Sequence, residues 1–458
     1  MQMRSIANVK IEGLFGYVDH DVKFTSNSPI TIISGPNGIG KTHFLRILNG
    51  LITLDLRVLA SVEFKLIEVR FTDGWILGLR QVSQTQRSTE FQLYGRKAPA
   101  RKFQRLTIRH QETDETPEDV PEFFIRLPSG DWYDTRLDRV LPPDQAKRWR
   151  LPITLNALRQ VEGTWAEELY GEAQAILVDT QRLDALPAYS KSSQRANSPS
   201  PTRASTTKIR LYIGQVAAQV SEARRQSLDE SLDADQTFAA RALKKARTTI
   251  NEKGLKERYQ RIADQHAELH ASGMSVRPVD VRFPEERTNP TEKRILNVFL
   301  DDWERKLKPL LPMHEKLKSL RRIVETKFVG KELYLSDRGQ IRFRSKVNSR
   351  PVNVHSLSSG EQHLLALFTM LLFSANRGSL VLIDEPEISM HAAWKHAFLD
   401  DIEEVARISN LQIVIATHSS AIINGNWHLV QEIEAPEIGD DPAGALEDDD
   451  VDDFDAEV

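Results

Sequence analysis

Four short stretches hold residue types whose spacing could do chemistry together. GPNGIGKT, Gly35 to Thr42, follows the pattern in which glycines let successive backbone N–H groups curl around phosphates. Asn37, Gly38 and Gly40 belong to that cradle. Lys41 would reach the β and γ phosphates as a point charge, and the Thr42 hydroxyl could ligate magnesium. LVLIDEPE, Leu380 to Glu387, is an apolar run ending in two acids: Asp384 suits magnesium, and Glu385 suits polarising an attacking water. LQIVIATHSS, Leu411 to Ser420, is a second apolar run, with His418 just beyond it and within reach of a γ-phosphate held at the same edge. SLSSGEQHLL, Ser356 to Leu365, puts Ser358 three residues before Glu361, the spacing of a capping box ahead of an apolar helix. Gly360 stands where a helix former would be more favourable, which suits close approach of an anion to the helix N-terminus.

The elements that must position these residues follow from periodicity. IANVKIEGLF and YVDHDVKF alternate as paired strands, and ITIIS is an apolar strand that feeds the glycine-rich loop and the helix THFLRILNGLI. FKLIEVRF, WILGLRQV, EFQLYG and FQRLTIRH continue the strand pattern, and AILVD, Ala175 to Asp179, is another apolar strand. AYSKSSQRANSPSPTRAS has no apolar period and reads as a mobile loop, Ser190 to Ser205. From Ile209 to about Ala271 and from Thr291 to about Phe328, apolar residues recur three and four apart. That pattern predicts two helical arms, a short stalk or bundle, the second interrupted at Pro309 and Pro312. Beyond KELYLSD and QIRFRS the chain alternates helix and apolar strand, which implies a parallel sheet covered on both faces. The expected fold is therefore α/β: a head with a mixed-sheet lobe and a parallel-sheet lobe, divided by a helical insertion. The expected divisions are 1–183 and 331–431 for the two halves of the head, 184–330 for the loop and insertion, and 432–458 for an acidic, disordered tail.

A chain of 458 residues, 40% hydrophobic and 28% charged, can bury a large core. With no cysteine, thiolate nucleophiles, thiolate metal sites and disulfides are excluded, and oxygen or imidazole must hold any metal. No run approaches a membrane span and the N-terminus has no apolar stretch of signal-peptide type, so a cytoplasmic protein without membrane contact is expected. The net charge of -4 hides an asymmetry: from Glu432 onward there are 13 acidic residues and no Lys or Arg, so the body is mildly basic. Such a surplus marks a phosphate-binding surface only where it clusters on one face.

GPNGIGKT, LSSGEQ, LIDEPE and ATHS, in this order, resemble the ATP-binding-cassette class of ATPases, in the soluble branch containing the SMC, RecF and OLD proteins. The resemblance covers about Ile6 to Arg182 and Lys331 to Trp427. It implies an ATPase using ATP and Mg²⁺. It also implies that Ser358 and Gly360 bind the γ-phosphate held by a second copy of the chain, so that two heads sandwich two ATP molecules, with a higher homo-oligomer as a further form. Gln181, in ILVDTQRL, resembles the class glutamine that senses magnesium and couples the head to its insertion, with Gln81 in GLRQV as competitor. The aspartate that the class carries after the catalytic glutamate is absent, and EISMHAA offers His391 instead.

The layout is similar to the stand-alone ATPases of two-gene anti-phage modules, the PARIS and Septu systems, PARIS most nearly. That likeness implies an oligomeric switch that controls a separate nuclease or toxin effector, with DNA or a phage trigger protein as further partners. A RecF- or SMC-like ATPase that clamps DNA is the alternative. The acidic run EDDDVDDFD lacks the apolar periodicity of a folded carboxylate scaffold, so no nuclease is expected within the chain.

Overall fold

VDHDVK alternates inward and outward side chains, and in the computed structural model it is strand β2 (Val18–Lys23), with Val18, His20 and Val22 buried and the charged residues exposed. The structure describes residues 4–25, 27–85, 88–111, 124–126, 132–134, 139–141, 156–172, 175–179, 201–244, 251–275, 282–284 and 288–433. Gln181, the greater part of the Ser190 to Ser205 loop, and the tail beyond Ile433 lie outside the described residues.

Strand β2 is the edge strand of the antiparallel order β2-β1-β4-β5-β6-β7, pairing with β1 (Ile6–Leu14) ahead of β4 (Leu66–Phe71), β5 (Trp75–Gln84), β6 (Ser88–Lys97) and β7 (Gln104–Gln111). Its inner face, including Val9, Ile11, Ile67, Leu79 and Phe91, packs in one core with Phe44, Leu45 and Leu48 of helix α1 (Lys41–Thr53). Three short strands, β8 (Phe124–Arg126), β9 (Trp132–Asp134) and β10 (Arg139–Leu141), form a small antiparallel sheet.

The second large sheet is parallel throughout, in the order β11-β15-β16-β3-β17, with β3 at Ile30–Ser34, β11 at Ala175–Asp179, β15 at Leu380–Asp384, β16 at Gln412–Ala416 and β17 at Val430–Glu432. The alternation of its side chains divides two cores. Leu380, Leu382, Val414 and Ala416 join the core of α1, whereas Val381, Ile383, Ile413 and Ile415 join the core of the helices on the other face. Apolar residues at every position are what a strand covered on both sides requires. In register, Asp179 is level with Asp384, Asp384 with Ala416, and Ala416 with Ile33. All the strand ends that lead into the chemical motifs therefore share one edge.

The helical insertion is α2 (Pro201–Lys244), α3 (Glu252–Ala271), α4 (Pro290–Leu307) and α5 (Leu311–Lys327). Two expectations are corrected here. Helix α2 already begins at Pro201, inside the Ser/Pro/Arg-rich stretch, where a proline's fixed φ suits a first turn. The first arm is two helices rather than one, since Asn251 caps α3 by accepting from the Lys253 N–H. Apolar residues of α2 (Val216, Val220), α3 (Ile262, Leu269), α4 (Leu300, Trp303) and α5 (Leu320, Ile323) are buried in the same core as the parallel sheet. The insertion is thus a bundle fused to the head. Strands β12 (Lys331–Leu335), β13 (Ile341–Ser345) and β14 (Pro351–Val352) lead from it into α6 (Ser359–Thr369), which ends in a π-turn, Met370–Ser374. There Gln219 of α2 donates to the Phe373 carbonyl and Gln215 accepts from the Ser374 hydroxyl, tying the insertion to α6. Helix α7 (Phe398–Ser409) covers the sheet, its buried Asp401 paired with Lys327 and Arg322 of α5. No described helix is long and apolar enough to cross a membrane.

Candidate active site

The loop after β3 turns sharply into α1. Gly40, at φ 97, is the helix cap, and a Cβ there would sit 2.7 Å from Leu14 Cδ2, so the turn both needs left-handed backbone and has no room for a side chain. With no side-chain cap present, the first N–H groups of α1 are left for an anion. Asn37 and Gly38 are exposed on the loop and Thr42 is half-buried in the first turn. Lys41 is buried, its ammonium donating to the Gly35 carbonyl at 2.7 Å and the Pro36 carbonyl at 2.9 Å. Burial pulls its pKa down, opposed by the charges of Glu385, Asp384 and Glu387. The phosphate-loop lysine thus stands in the field of three carboxylates.

Those carboxylates come from the end of β15. Asp384 is the last strand residue and Glu385 turns the chain at φ 44, a left-handed conformation unusual for a residue with a side chain. The Glu385 N–H donates to the Ala416 carbonyl at 2.9 Å, which fastens the turn to the neighbouring strand. His418, half-exposed, brings Nδ1 to 3.9 Å from Glu385 Oε1 and 3.4 Å from Glu387 Oε1. Glu387 was not singled out from the sequence. It is 5% exposed and accepts from the Thr417 hydroxyl at 2.6 Å and the His418 N–H at 3.3 Å.

The Thr42 hydroxyl and the Asp384 carboxylate are hard oxygen donors, the chemistry magnesium prefers. Among the described residues no group of three or more His, Asp or Glu could enclose a metal by itself. This donor set fits an ion that shares its coordination with phosphate oxygens and water.

Ser358 caps α6: its hydroxyl accepts from the Glu361 N–H at 3.3 Å, while Glu361 accepts from the Ser358 N–H at 2.9 Å and from Lys331 at 2.7 Å. Ser358 and Ser359 are exposed and Gly360 is half-buried. The partners that hold this helix start belong to its own turn and to β12, not to the phosphate loop. The fold therefore gathers Lys41, Asp384, Glu385 and His418 at one edge and leaves Ser358 and Gly360 as a separate exposed terminus. Gln81 is on β5, opposite Phe91 and bonded to Gln84. His391 caps the short helix Ala392–Lys395 by accepting from the Ala393 N–H.

Residues 179–424, more than half the chain, match the family model described as AAA domain, putative AbiEii toxin, Type IV TA system. The chain belongs to this AAA family. An AAA domain binds and hydrolyses ATP, and the matched part carries SSGEQ, DEPE and THS. The phosphate loop lies upstream of it and reaches the AAA domain's sheet through β3. No curated protein matches the chain. Among solved structures, an SMC head bound to the C-winged helix domain of ScpA matches at 12% identity and TM-score 0.32, over 92% of this chain and 91% of that one. The SMC head domain from Thermotoga maritima matches at 10% identity and TM-score 0.29, over 93% and 94%.

Proposed function

We propose that this AAA ATPase is a two-headed switch, the ATP-hydrolysing component of an anti-phage system that controls a separate nuclease or toxin effector. The observation that carries the reading is the convergence of Lys41, Asp384, Glu385 and His418 on one sheet edge. The family's description, which names a putative toxin and a Type IV toxin–antitoxin system, supports the defence role.

Lys41 would exchange the Gly35 and Pro36 carbonyls for the β and γ phosphates, and Asn37, Gly38 and Gly40 would wrap them with backbone N–H groups. Magnesium, when bound through Thr42 and Asp384, supplies neutralisation of the phosphate charge. Gln181, two residues past β11, would sense it. Glu385 would take a proton from the attacking water, and His418 would stand beside the γ-phosphate and help hold that water. Ser358 and Gly360 of a second copy would close over that phosphate. Through the π-turn contacts of Gln215 and Gln219, movement of α6 would reach the bundle, the surface on which an effector would be held.

The test expresses the chain with and without its neighbouring gene product and challenges the cells with phage. Protection by the pair alone is expected. Protection by this chain alone, or nuclease activity of the purified chain, would remove the two-component reading.

One observation favours the alternative, an ATPase that clamps DNA. The hairpin between β6 and β7 carries Arg96, Lys97, Arg101, Lys102 and Arg105, with no acidic residue from Phe91 to Gln111. All but Arg96 are exposed, and the register of Trp75 with Lys97 places them at the end of the sheet away from Leu14 and the phosphate loop. Five phosphate contacts would give log K against log salt a slope of about −4.5 on duplex DNA. Fluorescence anisotropy with Arg101→Glu/Lys102→Glu as control checks this, and absence of binding at low salt would exclude the clamp.

A further inference from the structure

We infer that Glu387 is a positioning residue for ATP hydrolysis, setting the tautomer and orientation of His418. The inference rests on the ATPase reading above and deepens it.

Glu387 is the third acid of DEPE, 5% exposed, in the turn Pro386–Ser389 that follows Glu385. Burying a carboxylate is costly unless its oxygens are used. One oxygen is used heavily: Oε1 accepts from the Thr417 hydroxyl at 2.6 Å and the His418 N–H at 3.3 Å, and lies 3.4 Å from His418 Nδ1. The other, Oε2, is buried without a hydrogen-bond partner among the described residues. A residue kept only for packing would be better served by an apolar side chain, which leaves no orphaned oxygen.

The surrounding bonds make this contact a rigid frame. The Thr417 N–H donates to the Ile33 carbonyl at 3.1 Å, the Ser419 N–H donates to Thr417 Oγ1 at 3.0 Å, and the Glu385 N–H donates to the Ala416 carbonyl at 2.9 Å. The strand ends of β3, β15 and β16 are thereby bolted together around Glu387. With the carboxylates of Glu387 and Glu385 both on the Nδ1 side of His418, the ring proton belongs on Nδ1. Nε2 then carries a lone pair, and its fitting partner is a donor, the attacking water beside the γ-phosphate, rather than the phosphate oxygens, which only accept. An imidazole held this way needs no reorientation when substrate arrives.

The test combines a spectrum with kinetics in the full chain. Nitrogen-15 shifts of the His418 ring, assigned with His418→Gln, should show the proton on Nδ1 in the wild type and a shift toward Nε2–H in Glu387→Ala. Glu387→Ala should lower kcat by about 10- to 100-fold with nucleotide Kd within about 3-fold, by analogy with loss of the carboxylate that orients a metal-bound imidazole. On a His418→Ala background it should cost nothing further, because the two act as one unit. Should Glu387→Ala fold poorly by its melting curve, Thr417→Val, which loses the hydroxyl, should lower kcat while Thr417→Ser retains it. An unchanged tautomer, or a loss that adds to that of His418→Ala, overturns the inference. If His418→Ala itself hydrolyses ATP at the wild-type rate, the ATPase role of His418 falls and the positioning role with it. Loss in His418→Ala with full kcat in Glu387→Ala refutes the positioning role alone.

Discussion

Glu385→Gln is expected to slow ATP hydrolysis by about 10² to 10⁴ while leaving nucleotide binding intact. The substitution keeps the size of the side chain and the backbone bond to Ala416, so the left-handed turn at φ 44 survives. What it removes is the capacity to accept a proton from water. Lys41→Ala should behave differently, weakening nucleotide binding itself, because the buried ammonium already sits within the loop, donating to the carbonyls of Gly35 and Pro36. Single-turnover hydrolysis and equilibrium binding on the same preparations separate the two effects. Hydrolysis by Glu385→Gln at the wild-type rate would show that the base lies elsewhere.

Ser358→Arg separates the two roles open to SSGEQ. If Ser358 only caps α6, losing its hydroxyl costs about 1 kcal/mol and hydrolysis is unchanged. The helix start stays held by Glu361, which keeps its bonds to the Ser358 N–H and Lys331. If the terminus instead closes over the γ-phosphate of a second copy, the guanidinium occupies that place and ATP-dependent pairing is lost. Hydrolysis should then fall by about 100-fold or more, since a group that stabilises transferring phosphoryl charge in trans is worth at least that much. The measurement is activity against protein concentration, with ATP binding to the single head as control. Full activity at low concentration would return Ser358 to a capping role.

How much of this was legible beforehand depends on the range of the forces involved. The strands ITIIS, LVLID and LQIVIA announce themselves because a sheet covered on both faces demands apolar residues at every position, and each leads straight into its loop. That fixes a shared edge for Lys41, Asp384, Glu385 and His418. Glu387 was hidden because its importance is burial and its partner lies 30 residues away, just past the end of another strand. The docking of the helices was hidden for the same reason: a 3.6-residue period shows that α2 has an apolar stripe, not that α4 and α6 cover it. Asn251 and Pro201 are local signals, readable as a cap and a first-turn proline, but the first was outweighed by the continuous periodicity around it and the second by the aperiodic Ser-rich stretch that holds it. His391, standing where the related class carries an aspartate, turns out to cap the start of a short helix, a role its sequence position does not disclose.

The order β11-β15-β16-β3-β17 also has a consequence for synthesis. Strand β3, which carries the phosphate loop, pairs on one side with β16 and on the other with β17, both near the end of the described chain. At about 5–20 residues per second, the roughly 380 residues between Ile30 and Ile413 keep β3 without either neighbour for about 20 to 80 s on the ribosome. The antiparallel lobe is spared this wait, since β1–β2 and β4–β5–β6–β7 pair with near neighbours in the chain. During the interval ITIIS is an apolar strand with two open edges, the kind of segment that adds to the wrong chain. Yield of folded protein should therefore follow translation speed and access to chaperones that hold nascent chains, more than the stability of the finished head.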